Sequence, residues 1–468
     1  MKVIISCLNS KYVHASLSPW CLLAGVREFS KNSYDISVME STINGDITDF
    51  AHKIIGEKPD VVSFSCYIWN ITKNLEICRI IKENHNCKIV LGGPEVAYRQ
   101  KDVLMKYDFI DFVLSGEGEW TFPDFLDKIN GELSLVSGLS YRKNGEIVTI
   151  PEKEYTDTPP SPFTDEFFDN LKGRISYIET SRGCPYRCAF CLSGRCSTLR
   201  FFDLDRVKSD IIKLANSGTQ TVKFVDRTFN ADYKRANEIL TFIKENYGKD
   251  IPQNVCFHFE IAGDILKEST LEILASMPKG AVQLEIGMQS FNEETLKAIN
   301  RKTDTKKLTQ NIQKLISFNN MHIHIDLIAG LTGEDLESFK NSFNTGYSLK
   351  AHMLQMGFLK LLYGADMREN SEKYPCTFTD VPPYEVTSTP WLSNDEIVML
   401  KKCEDAVDRL YNSGRFLFTL EYLIEKVGIS PFDVFNDFFK LCFSSNTRCI
   451  TFMFIPFFKR KYIKTIQL

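Results

Sequence analysis

The sequence has no apolar run long enough to cross a bilayer; the longest near the C-terminus, 450–458, is too short. It shows no leader pattern either. Met1-Lys2 runs straight into VIISCL with no small-residue cleavage site behind it, so no export is expected. Charge of one sign is also missing. Fifty-six Lys and Arg against 60 Asp and Glu leave a net charge of -4, with no bulk attraction to nucleic acid or an anionic membrane. These absences predict a soluble cytoplasmic protein. Its 468 residues exceed what one core organises, so two or three domains are expected.

Cysteine is not scarce: there are 14. In a reducing compartment, disulfides are rare and clustered cysteines point to metal binding or catalysis. Ten are scattered singly through apolar segments such as VVSFSC and NHNCKIVL, where they read as small buried hydrophobes. Cys184, Cys188, Cys191 and Cys196 form the one constellation.

The first 120 residues alternate strand-like and helix-like segments. KVIISCL, YDISVME, DVVSFSC, CKIVLGG and FIDFVLSGEGE are rich in Val and Ile, as parallel strands are. Between them lie helical patterns, the first expected to be capped by Ser18 with Pro19 at its first position. This alternation predicts a doubly wound Rossmann-like domain over 1–140 with ligands at the C-terminal strand ends. Those ends carry Asn9 to Ser16, Ser65 to Asn70, Gly92-Gly93-Pro94-Glu95 and Gly116 to Glu119. Residues 141–173 read as a hairpin turning at Asn144-Gly145 and a proline-rich linker. Over 174–366, ISYIET, TVKFVD, VCFHFEI, AVQLEIGM, HIHIDLIAG and MLQMGFLKL each precede a helical pattern. Six such units predict a partial (β/α)6, TIM-like barrel whose chemistry lies on the loops after its strands. From Met367 the strand signal stops, and 367–468 read as a small helical domain with a solvated basic tail.

Cys184, Cys188 and Cys191 follow a C-x3-C-x2-C spacing on the loop after the first barrel strand. Thiolates suit zinc or iron–sulfur clusters. A structural zinc takes four closed ligands, usually two C-x2-C pairs, and no second pair is present unless Cys196 completes the set. A four-iron cluster on three thiolates instead keeps one iron open to a ligand.

GCPYRCAFC resembles the signature of the radical SAM superfamily, with Phe190 as the aromatic before the third cysteine. The resemblance implies a 4Fe-4S cluster that binds S-adenosylmethionine and cleaves it to a 5′-deoxyadenosyl radical. FVDRTF resembles the second-strand motif, making Asp226 a contact to the methionyl amino group. FEIAGD places Glu260 on the third strand, and LEIGMQS places Glu285 and Ser290 on the fourth. IDLIAGLTGE, with Ile328 and Gly330, is similar to the segment that packs against adenine, although Thr332 stands where proline is common.

A Rossmann-like domain ahead of such a barrel resembles the cobalamin-binding class, many of whose members are methyltransferases. That likeness assigns Asn9, His14, Ser65, Gly92, Gly93 and Glu117 to a cobalamin site. The Asp-x-His-x-x-Gly motif that supplies a cobalt-ligating histidine in some B12 proteins is absent. His14 therefore reads as a hydrogen-bonding loop residue. The C-terminal stretch is similar to bacterial members with a helical domain of unknown function. What this implies is methylation of an unactivated carbon of a small molecule or peptide. An external flavodoxin- or ferredoxin-type donor would supply electrons, and neither membrane nor nucleic acid is an expected partner.

Three alternatives remain open. A methylthiotransferase acting on tRNA or protein needs three N-terminal cysteines; Cys7 and Cys66 occupy two such strand ends, but Gly93 occupies the third. The others are a cobalamin enzyme that does not transfer methyl and a non-enzymatic sensor.

Overall fold

The computed structural model describes residues 1–195 and 198–444. Cys196, the apolar run 450–458 and the basic tail lie outside the described residues. The first sheet contains β1 (Lys2–Asn9), β2 (Asp35–Thr42), β3 (Val61–Ser65), β4 (Lys88–Gly92), β5 (Phe112–Leu114), β6 (Leu139–Lys143) and β7 (Glu146–Thr149). Their order is β2-β1-β3-β4-β5-β6-β7. β1 to β5 run parallel, and β1, β3 and β5 are buried almost throughout, as strands with both faces covered by helices must be. β1 neighbours both β2 and β3, so the sheet changes winding direction there and opens a crevice beyond the strand ends.

Three local expectations change. Asn144 and Gly145 do make the hairpin turn, with φ of 54° and 83°, but β6 pairs antiparallel with β5. The hairpin thus extends the first sheet past residue 140 instead of beginning a linker. The segment after it is anchored as well: Phe163 and Phe167 are buried, and the Phe167 ring meets Trp20 edge-on at 5.7 Å. In the first helix, Ser18–Phe29, Leu17 occupies the cap position, so Ser18 is the first helical residue and not the cap.

The second sheet consists of six parallel strands: β8 (Ser176–Ile178), β11 (Thr221–Phe224), β12 (Cys256–Ile261), β13 (Val282–Gln289), β14 (His322–Ala329) and β15 (Met353–Phe358). They lie in the order β15-β14-β13-β12-β11-β8, an open barrel. Between β8 and β11, the short pair β9 (Ser181–Arg182) and β10 (Arg200–Phe201) forms the base of the cysteine loop. Barrel strands alternate. Val222, Phe224, Phe257, Phe259, Leu284, Ile286, Ile323 and Ile325 are buried in the apolar core, whereas Lys223, Glu260, Glu285 and Asp326 are only partly buried. The period of two puts these ionisable residues on the opposite face, toward the lumen, where bulky aliphatics fill an ordinary barrel.

A two-stranded ribbon, β16 (Thr377–Phe378) with β17 (Val386–Ser388), precedes the C-terminal helices, correcting the expectation of helices alone. Ser393 caps the helix Asn394–Val407 in a reciprocal capping box with Glu396. The terminal helices join the barrel's core: Phe343 packs against Phe432 and Phe435 with ring centroids 5.6 and 5.7 Å apart. No described helix is long and apolar enough to cross a membrane.

Candidate functional site: two adjoining cavities

The cysteine loop is pinned from several sides. Gly183 opens it at φ 102°, and a Cβ there would lie 2.1 Å from the Thr198 carbonyl oxygen. The Ala189 amide donates to Ile299 O at 2.9 Å, and the Met367 amide donates to Ala189 O at 3.0 Å. Asn300 Nδ2 donates to Arg187 O at 2.7 Å. Cys184, Cys188 and Cys191 then line one cavity of about 220 Å³, together with Phe190, Arg227, Glu260, Glu285, Gln289, Arg301 and Asp326. Burial pushes the Cys188 thiol up, while Arg301, with Nη1 3.7 Å from Sγ, pulls it back.

Among the described residues, the metal-ligand trio whose donor atoms fall within 4.8 Å of one another is Glu285, His324 and Asp326, not the thiols. Three thiolates lining one cavity, with no fourth described cysteine among its walls, fit a cluster that keeps one iron open.

The sequence-assigned S-adenosylmethionine residues divide. Phe190, Glu260 and Glu285 face this cavity. Burial opposes the Glu285 carboxylate, yet bonds from His258 Nε2 (2.8 Å) and Lys223 Nζ (3.1 Å) hold it down at about 2. Asp226, Ser290, Ile328 and Gly330 do not line it. Asp226 is fully buried and accepts from the Thr180 amide (3.0 Å), Thr180 Oγ1 (2.8 Å) and Ser181 Oγ. Its oxygens hold the approach to the cysteine loop rather than a ligand's amino group. Ser290 Oγ is likewise buried and donates to Glu334 at 2.5 Å. At Gly330, φ is 88° and a Cβ would meet Val386 of β17 at 2.7 Å, so the protein's own packing requires this glycine.

Glu334, which sequence reading passed over, is buried against Ser290 and Ser342, and burial raises its carboxyl to about 7. A raised acid keeps its proton in the fold while the unfolded chain ionises. Stability should therefore fall as pH rises from about 4.5 to about 7, by roughly 3 kcal/mol at this site. Glu334→Gln should remove that slope. Denaturant midpoints of both proteins at pH 5 and 8 give the comparison, and parallel pH dependence would refute it.

The second cavity is the crevice of the first sheet, about 740 Å³. All six sequence-assigned residues line it: Asn9, His14, Ser65, Gly92, Gly93 and Glu117. His14 Nδ1 lies 2.6 Å from the Tyr177 hydroxyl, and residue 14 bridges to Ile175, so it ties the first domain to the barrel. Asn9 accepts from Ser16 Oγ at 2.5 Å and donates to Glu40 at 3.2 Å. Glu117 is held by Arg182 and Arg200. Gly93 has φ 101°, and a Cβ would sit 2.6 Å from Cys66 O; its glycine is required by the protein's own backbone. One buried hydroxyl in the crevice wall, Ser63 Oγ, has no partner within the protein. An unsatisfied donor of this kind fits a polar ligand bound there. Arg227 lines both cavities.

A crevice at a sheet's winding switch, opening beside a three-cysteine loop, matches known domain families in the same order. The B12 binding domain family matches residues 5–126, and the radical SAM superfamily matches 178–345. The chain thus joins a B12 binding domain to a radical SAM domain. Its residues 372–453 match a further family described as a protein of unknown function (DUF4080).

The chain is 28% identical over 324 residues to the 2-(S-pantetheinyl)-carbapenam-3-carboxylate methyltransferase of Streptantibioticus cattleyicolor. That match covers 61% of this chain and 44% of the relative, so the chain spans less than half of that protein's length. The solved radical S-adenosylmethionine methyltransferase TsrM from Kitasatospora setae, with cobalamin and a [4Fe-4S] cluster bound, aligns with a TM-score of 0.67 at 16% identity. The alignment covers 82% of this chain and 79% of TsrM. The cobalamin-dependent enzyme OxsB, with aqua-cobalamin and S-adenosylmethionine bound, aligns at 0.69 and 14% identity over 98% of this chain and 75% of that one. These two likenesses establish a shared fold.

Proposed function

We propose that this chain is a cobalamin-dependent radical S-adenosylmethionine methyltransferase acting on an unactivated carbon of a small molecule or peptide in the cytoplasm. The observation that carries the reading is the adjacency of the two cavities, with Arg227 common to their walls. Cys184, Cys188 and Cys191 would hold a 4Fe-4S cluster with one iron open. Phe190, Glu260 and Glu285 would border S-adenosylmethionine bound there, and Lys223 and His258 would keep the Glu285 carboxylate ionised. Asn9, Ser65, Gly92, Gly93 and Glu117 would border the cobalamin; His14, bonded through Nδ1 to Tyr177, would act on the loop and not on cobalt. When bound, these cofactors supply a methyl group, a cobalt carrier and a 5′-deoxyadenosyl radical. The protein orients them, and its fastened loops keep bulk water out. An external flavodoxin- or ferredoxin-type protein would deliver electrons.

The methylthiotransferase alternative is not favoured. Cys7 and Cys66 are buried, burial pushes both thiols up to about 12, and glycine stands at position 93.

The deciding experiment is mass spectrometry of the anaerobically reconstituted protein given cobalamin, reductant and S-adenosylmethionine. 5′-Deoxyadenosine together with cobalamin-dependent S-adenosylhomocysteine is the expected result. Deoxyadenosine alone would point to a cobalamin enzyme that does not transfer methyl.

A further inference from the structure

Along the crevice wall nearest the cysteine loop lies an ion-pair network of which the cobalamin assignment uses only Glu117. Arg182, on β9, donates to three carboxylates at once. Its Nη1 reaches Glu117, its Nη2 reaches Glu119 Oε1 at 2.8 Å, and its Nε and Nη2 reach Glu179 at 2.9 and 2.6 Å. Glu117 also accepts from Arg200 on β10 at 2.6 Å, and β10 pairs with β9 through Arg200 and Arg182. Glu117 and Glu119 belong to the first domain, at the start of the helix Gly118–Lys128. Glu179 and Arg182 lie on the barrel's approach to the cysteine loop.

Enclosed ion pairs contribute little net stability compared with apolar packing, but breaking one partner is costly, so they select one geometry. That geometry is passed on without slack. One residue, Gly183, separates Arg182 from Cys184, and it is wedged against Thr198 O. A shift of the guanidinium relative to Glu117 and Glu119 therefore becomes a shift of the first cysteine relative to the crevice.

We propose that Arg182 is a positioning residue that sets the spacing and facing of the cobalamin crevice and the cysteine loop for methyl transfer between them. This rests on the proposed function. Other ties hold the domains together without it: the nearly buried Arg174–Glu40 pair at 2.9 Å, the residue 14 to Ile175 bridge, and the Tyr384 hydroxyl bond to Glu95. Variants at Arg182 should consequently fold.

The test separates two partial reactions of the cofactor-loaded protein. In the first, with titanium(III) citrate, the sulfonium carbon–sulfur bond of S-adenosylmethionine breaks. The electron pair of cob(I)alamin forms the cobalt–carbon bond, and S-adenosylhomocysteine leaves. In the second, dithionite passes one electron through the cluster to S-adenosylmethionine, the C5′–sulfur bond breaks to give methionine and the 5′-deoxyadenosyl radical, and the radical takes a hydrogen atom from a buffer component to give 5′-deoxyadenosine, with no part for cobalamin. Arg182→Lys keeps one charge but loses the fork. Glu119→Gln removes a carboxylate remote in sequence from the cysteines. Both variants should lose about tenfold or more of methylcobalamin formation, since misplacement by an ångström costs about a hundredfold, while deoxyadenosine, iron and cobalamin content stay within about twofold. The magnetic coupling between the reduced cluster and cob(II)alamin, read by electron paramagnetic resonance, should change in the same variants. Equal loss of both partial reactions, loss of cobalamin or iron, or no change in either reaction overturns the proposal. Wild-type protein that forms no methylcobalamin would instead overturn the proposed function.

Discussion

Replacing Cys188 with alanine is expected to leave the reconstituted protein without iron–sulfur absorbance and without detectable 5′-deoxyadenosine. Cys188 is the most deeply buried of the three thiols, at 7% exposure, and its loop is fastened on both sides of it. Among the described residues, no cysteine other than Cys184 and Cys191 lines that cavity with it. The loss should be chemical and not structural. Alanine fits the same space, and the backbone bonds of Ala189 do not depend on the thiol, so the apoprotein should unfold near the wild-type midpoint. Activity in the anaerobically reconstituted variant would remove the cluster assignment.

Gly93→Ala should damage both the stability of the first domain and its crevice. Its φ of 101° and ψ of 170° lie in a region that is essentially glycine-only, at a cost of roughly 1–3 kcal/mol for any side chain. The added Cβ would also press on Cys66 at 2.6 Å from O and 3.0 Å from N, an overpacking worth roughly 1–3 kcal/mol more. Together these take about 4 kcal/mol from a fold whose total stability is about 5–15 kcal/mol. Moving the loop away from Cys66 relieves the clash only by shifting the crevice wall, so corrin absorbance should also fall. Gly92→Ala is the control: its Cβ would meet Leu114 O at 3.4 Å, an ordinary contact. Urea unfolding and cobalamin content of the two variants decide the matter, and equal behaviour would refute the packing account.

The contrast between Asp226 and Arg227 shows where sequence reading stops. The motif FVDRTF was enough to find the strand and its functional end. It could not say which of two neighbouring residues faces the ligand, because successive side chains on an extended segment point to opposite sides. Asp226 turns into the packing against Thr180 and Ser181, and Arg227 turns into the open space. Strands β1, β3 and β4 were legible because buried parallel strands write themselves as Val- and Ile-rich runs. β16 and β17, at two and three residues, are too short to show any period. Arg182 sits in the motif itself, but its partners Glu117 and Glu119 lie 65 and 63 residues away, a pairing that only folding creates. The lumen was readable in principle. Polar residues at every second position in HFE, LEIG and HIHID signal a polar interior, yet a half-buried strand with a solvated face gives the same pattern.

The shared core of the barrel and the C-terminal helices governs the order in which the chain matures during synthesis. All seven strands of the first sheet are present once its hairpin has emerged from the ribosome. The barrel is not complete when β15 appears, because the helix carrying Phe343 and Tyr347 still lacks Phe432 and Phe435. Nascent barrels thus carry an uncovered aromatic surface until the last helices arrive, and such surface draws chaperones or other unfinished chains. Iron–sulfur insertion into the cysteine loop would then meet a scaffold whose aromatic face is covered only once Phe432 and Phe435 have been made.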